Sequence, residues 1–153
     1  MGNINLGRVV LGGIVAGIVI DIFEGVSNTV ILGDQMQAAL TALGKTGTMS
    51  TNQLIAFNLW GLAAGILIVG LYAAMRPRLG AGPKTAICAG LAVWAATFVL
   101  GNATMVFLHL MPVGLTLIGL GIALVETIVA GLAGGYLYKE EGTETVRSSA
   151  ARA

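Results

Sequence analysis

An all-α membrane protein is the fold class this sequence predicts: four transmembrane helices in an up-and-down antiparallel bundle, with a short extracytoplasmic surface helix between the first two. Three observations lead there. Of 153 residues, 56% are hydrophobic and only 10% charged, which lies far outside the soluble range. Four apolar runs, about 6–32, 52–75, 85–108 and 113–138, are each long enough at about 1.5 Å per residue to cross a hydrocarbon core of about 30 Å. The turns between them are short and hold Gly, Pro and basic residues, which implies antiparallel neighbours.

The first run, about Leu6 to Leu32, has Arg8 at its start and Gly33 at its end; its Gly13-xxx-Gly17 pair continues at the same step to Asp21 and Gly25, a strip that lets another backbone come close. Between Asp34 and Thr51 the polarity rises, and Asp34 to Gly44 reads as a short helix with Asp34 as N-cap and Gly44 as terminator. Met36, Leu40 and Leu43 line one side of it, so it should lie on the membrane surface or over the bundle mouth, as a connector or a lid. The second run places Asn58, Gly61 and Gly65 on one face and leads into Arg76-Pro77-Arg78-Leu79-Gly80-Ala81-Gly82-Pro83-Lys84, read as a compact turn. The third run is rich in Ala and Gly and carries Asn102 and then His109; Pro112 suits the first turn of the fourth, which holds Glu126 near its middle. A single domain, 1–138, is expected, with 139–153 as a flexible cytoplasmic tail.

Orientation follows from the basic residues. Arg8, Arg76, Arg78, Lys84, Lys139, Arg147 and Arg152 fall on one side of a four-span thread and Lys45 on the other, so both termini are expected in the cytoplasm of a bacterial cell, the protein being multi-pass in its inner membrane. Tyr72, Tyr136 and Tyr138 would then form an inner interfacial belt, and Trp60 and Trp94 serve as interface or packing aromatics. Cys88, the only cysteine, excludes an internal disulfide and reads as a small buried hydrophobe.

Two carboxyl groups inside the first apolar run organise the functional reading. Asp21, Glu24 and Asn28 share one helical face, and that face cannot meet lipid without a cost of several kcal/mol. Counting from span midpoints, Asp21 and Glu126 lie near the midplane, Glu24 about 5 Å outward, Asn28, Asn58 and Asn102 roughly 8–12 Å outward, and His109 near the outer interface. Pointed inward, these residues would make a polar pocket open to the outside above a dry, Gly/Ala-packed inner half. Three negative charges at that depth, with no Lys or Arg beside them, would be very unfavourable, so the acids carry protons or hold a cation.

Asp21, Glu24 and Glu126 are therefore the expected proton- or cation-binding set, with Asn28, Asn58, Asn102 and His109 as supporting polar groups. The plainer reading is an interhelical hydrogen-bond clamp, the ordinary role of amides in lipid. His109, with Met105 and Met111 nearby, could suggest a soft metal, but an amphipathic anchor is the better reading of a lone histidine, and no metal or cofactor is assigned. No phosphate loop, HExxH or GxSxG motif is present, and no nucleophile stands beside a base, so an enzyme is not expected. The near-zero net charge does not invite nucleic acid.

The stretch Tyr72 to Ala86, the Gly-rich start of the first run, Glu126, and the ending Gly135-Tyr136-Leu137-Tyr138-Lys139 resemble uncharacterised small bacterial four-helix integral membrane proteins. The resemblance implies a bacterial source and multi-pass topology and no activity. The leading expectation is a proton- or cation-coupled transporter or channel-like protein in the lipid bilayer. Its homo-oligomer would use the glycine strip of the first helix or the Ala/Gly face of the third. The alternatives are a structural or assembly subunit of a larger membrane complex, and a lipid- or quinone-binding module.

Overall fold

The computed structural model describes residues 4–45 and 49–139. Arg147, Arg152 and nearly all of the expected tail lie outside the described residues. Among the described residues four helices are long and apolar enough to cross a membrane: span 1 (Leu6–Ile31), span 2 (Thr51–Leu79), span 3 (Pro83–Phe107) and span 4 (Val113–Leu137). No more than 33% of the most apolar window of any span is buried, so most of the surface of the spans is apolar side chain of the kind a bilayer covers.

Local chemistry starts and stops these helices. The Asn5 side chain accepts a bond from the Arg8 N–H, capping span 1. Ser50 and Gln53 form a reciprocal capping box at the start of span 2, and Pro83 takes the first position of span 3, where no N–H is needed. Span 2 runs through Pro77 to Leu79, four residues past the expected end at Met75. A proline in the last turn removes only one backbone bond, so the helix stops instead at Gly80, whose φ of +83° suits glycine.

The short helix spans Gly33–Ala42, and its N-cap position is Leu32, not Asp34. Span 1 runs into it almost without a loop, because Leu32 N–H bonds back to the Ser27 carbonyl and Leu32 itself is buried. Gly44 has φ +70°, as a helix terminator should. Neither of two π-helical segments, Ser27–Ile31 in span 1 and Trp94–Val99 in span 3, was expected from the apolar pattern.

Packing divides the bundle across its length. The core consists of Val9, Ala16 and Ile20; Ala64, Ile68, Val69, Tyr72 and Ala73; Ala86, Ala89 and Val93; and Ala130 and Tyr138. All of these lie in the half nearer Arg76 and Lys84, the basic end, except Ile20 and Ala64, which sit at mid-depth. Glycines let the backbones touch there: a Cβ on Gly12 would lie 2.6 Å from the Gly134 carbonyl oxygen, one on Gly13 2.6 Å from Ile66 Cα, and one on Gly131 2.7 Å from the Ala86 carbonyl oxygen. A Cβ on Gly65 would run into the backbone of Gly13 and Gly17, and one on Gly90 into the Thr127 carbonyl. Gly13 and Gly17 thus pack on span 2, and Ala86 and Gly90 of span 3 on span 4, of the same chain.

The other half, at the end carrying the short helix, is loosely filled. Every residue from 51 to 60 is exposed, and a Cβ on Gly25, Gly101, Gly114, Gly119 or Gly121 would meet nothing within 4 Å. At the basic end the Arg76 guanidinium lies over the rings of Tyr72 and Tyr138, 5.7 and 5.2 Å from their centroids. The two rings meet edge to face, and their hydroxyls accept bonds from the Gly82 and Asn5 N–H groups, respectively. Tyr72 and Tyr138 are therefore part of the core, and only Tyr136 among the three expected belt tyrosines is exposed. Cys88 is exposed rather than buried; on a lipid-facing surface its environment is apolar all the same.

Candidate functional site

Glu126 occupies the seam between spans 1 and 4. Its position follows from the register of two helices that touch through small residues: Gly12 meets Gly134, and one turn further Ala16 also packs on Gly134. Continued four residues at a time along both antiparallel helices, this register sets Ala130 near Ala16 and Glu126 near Ile20. Ala16, Ile20, Ala130 and Thr127 are all 0–2% exposed, and Glu126 is 0% exposed. Neither Oε1 nor Oε2 of Glu126 has a hydrogen-bond partner.

Span 1 supplies the two other acids, Asp21 next to Ile20 and Glu24 one turn beyond it toward the short helix. Their surroundings differ. Glu24 is half-buried and accepts a 2.6 Å hydrogen bond from Asn28 Nδ2, which also donates to the Glu24 carbonyl at 2.9 Å. Asp21 turns to span 2, its Oδ1 lying where a Cβ on Gly61 would stand. Among the described residues no three His, Cys, Asp or Glu side chains stand close enough to hold one metal ion.

The remaining polar residues bond within their own helices. Asn58 Nδ2 donates to the Leu54 carbonyl and is exposed; Asn102 Nδ2 donates to the Phe98 carbonyl. Neither reaches the acids or another span. At this end a mostly apolar depression of about 410 Å³ lies between Ala39, Ala42 and Leu43 at the end of the short helix and Val106 and His109–Val113 around the turn between spans 3 and 4. His109 is the single titratable side chain in its wall, and its φ of +55° is the only positive value among described non-glycine residues.

One tie between spans was missed by the sequence reading. Trp94 Nε1 donates 3.0 Å to the Leu120 carbonyl, joining the first residue of the π segment in span 3 to span 4 above Glu126. An indole in an apolar helix gives no sequence signal for an interspan bond. Trp60, by contrast, is exposed.

Fold and composition together define a four-span integral membrane protein with a buried acid at mid-depth. No family model, no curated protein and no solved structure matches the chain, so the class is defined by these helices and not by relatives.

Proposed function

We propose that this chain is a proton-exchanging membrane protein of transporter or channel-like type, in which Glu126 binds and releases a proton and Glu24 passes it toward the end capped by the short helix. The single observation that carries the reading is Glu126 itself, fully buried with both carboxyl oxygens lacking a partner. An unsatisfied buried carboxyl costs stability without returning any, which fits a group kept for exchange better than one kept for packing. A clamp would spend its amides between spans, whereas Asn28, Asn58 and Asn102 each bond within their own helix. Glu24, half-buried and held by Asn28, stands between Glu126 and the loosely packed half.

The proton is preferred to a metal cation because among the described residues no three His, Cys, Asp or Glu side chains meet. The orientation that accompanies this reading puts Arg76, Arg78 and Lys84 in the cytoplasm of a bacterial cell, with the short helix outside the inner membrane. The rival, an assembly subunit, draws on one observation: residues 51–60 of span 2 are exposed at every position, as a segment awaiting a partner would be. Proteoliposomes enclosing a pH-sensitive dye separate the two. Wild type should carry protons, Glu126→Gln should abolish the flux, and Glu24→Gln should slow it at least ~10-fold, since a positioned acid–base group contributes ~10²–10⁴ in rate. Correctly folded wild type that carries no protons in either direction would favour the subunit.

A further inference from the structure

Spans 1 and 2 touch through Gly17 and Gly65, where a Cβ on Gly65 would run into the Gly17 backbone. Two helical turns toward the short helix along both antiparallel helices, Gly17 is followed by Glu24 and Gly65 is preceded by Asn58. Each lies within about 20° of the direction its glycine faces, so Glu24 and Asn58 stand on the sides by which the two spans meet. They do not bond each other: Glu24 accepts from Asn28 on its own helix, and Asn58 Nδ2 donates to the Leu54 carbonyl on its own. At the level between, Asp21 still lies against Gly61. One turn further out the helices have parted, since every residue from 51 to 60 is exposed and a Cβ on Gly25 would meet nothing within 4 Å. The π-helical segment Ser27–Ile31 then shifts the register of span 1, so the seam is not regained.

These contacts outline a wedge-shaped cleft with Asp21 and Gly61 at its apex, Glu24 and Asn58 on opposite walls, and its mouth at the end that carries the short helix. Lipid tails offer nothing to a carboxyl or an amide, and ionisable groups within spans face protein or water. We propose that this cleft is a water-filled entrance through which Glu24 exchanges protons with the bulk at the short-helix end, with Asn58 as the positioning residue that holds water opposite it. The inference rests on the proton-exchange reading and adds to it the route and one further residue. In release, the O–H bond of the Glu24 carboxyl breaks and the proton joins a cleft water, leaving carboxylate and hydronium; uptake is the reverse. Asn58 spends one N–H on Leu54, and its Oδ1 and second N–H serve that water. Span 2 is then wet on this one side only, with Ala56 and Trp60, on the opposite side of the helix, in lipid.

The test places single cysteines in the full chain, in a Cys88→Ala background and in lipid nanodiscs, and measures their rates of reaction with a charged, membrane-impermeant methanethiosulfonate. Asn58→Cys is compared with Ala56→Cys and Trp60→Cys, which bracket it about 3 Å to either side in depth and are turned about 200° away from it; all three positions are exposed, so the substitutions leave the packing alone. The expected result is that Asn58→Cys reacts at least ~10-fold faster than both, because only a hydrated thiol yields the reactive thiolate. In proteoliposomes Asn58→Leu should slow proton flux at least ~10-fold, and Asn58→Gln, which keeps the amide, should restore most of it. Equal rates at the three positions, or flux unchanged by Asn58→Leu, overturns the inference. Protection of Asn58→Cys together with disulfide-linked dimers puts a second copy in the cleft and likewise overturns it. Wild-type flux with Asn58→Cys no faster than its neighbours overturns the cleft and leaves proton exchange at Glu126 standing; the expected reactivity with no wild-type flux supports the water-filled cleft and overturns the transport reading alone.

Discussion

Replacing Gly65 by alanine probes the contact that holds spans 1 and 2 together. The added Cβ would lie 2.7 Å from Gly17 Cα and nearer still to Gly17 N and the Gly13 carbonyl oxygen, all backbone atoms that cannot rotate away. Ordinary contact begins near 3.4 Å, so the two helices must part by at least 0.7 Å, the difference between 2.7 and 3.4 Å, and by more to clear the two nearer atoms. A gap of that size forfeits about a quarter to a half of the dispersion energy of each contact along the seam. Overpacking of this kind costs about 1–3 kcal/mol, and the better helix propensity of alanine returns up to about 1 kcal/mol, leaving a net loss of about 1–2 kcal/mol. The measurement is unfolding in mixed micelles of rising denaturing-detergent fraction, followed by tryptophan fluorescence. Gly101→Ala is the control, because nothing lies within 4 Å of its added carbon; it should be neutral or slightly stabilising. Gly65→Ala as stable as wild type, or no worse than Gly101→Ala, would refute the account of a bundle closed by backbone contact at one end only.

Further outcomes follow from the same packing. Glu126→Met, similar in volume, should raise stability by about 1–2 kcal/mol by removing an unsatisfied buried polar group, while abolishing proton flux; a loss of stability would mean that the carboxyl has a partner after all. Trp94→Phe removes the indole bond to Leu120 and should cost about 0.6 kcal/mol, the usual worth of such a bond within a membrane. It should also speed hydrogen–deuterium exchange of span 4 amides above Glu126, read by mass spectrometry, and unchanged exchange would show that the tie does not hold the seam.

The division between what could be read and what could not has a physical basis. Helix number and approximate limits were legible because an apolar run either reaches across a bilayer or does not, and because Pro83, Pro112, Gly44 and Gly80 act locally on their own turns. The boundary errors arose where two elements compete: Asp34 could not serve as N-cap because span 1 already continues through its π turn to Leu32. Pro77 could not stop span 2 because only one bond was at stake. Tyr72, Tyr138 and Cys88 have sequence contexts that suit either lipid or core, and only rotation of each helix against its neighbours assigns them.

The sequence by itself determined that this chain spans a membrane four times and carries three acids within the spans without a basic residue at their depth, since composition and length fix both. Which acid is sealed, which is held by an amide and which faces a glycine was decided only by tertiary structure. The helices touch through Gly12, Gly13, Gly65 and Gly134, so their separation and rotation depend on the absence of side chains in pairs of distant residues. That information lies in no single stretch of the chain and appears only once the backbones meet.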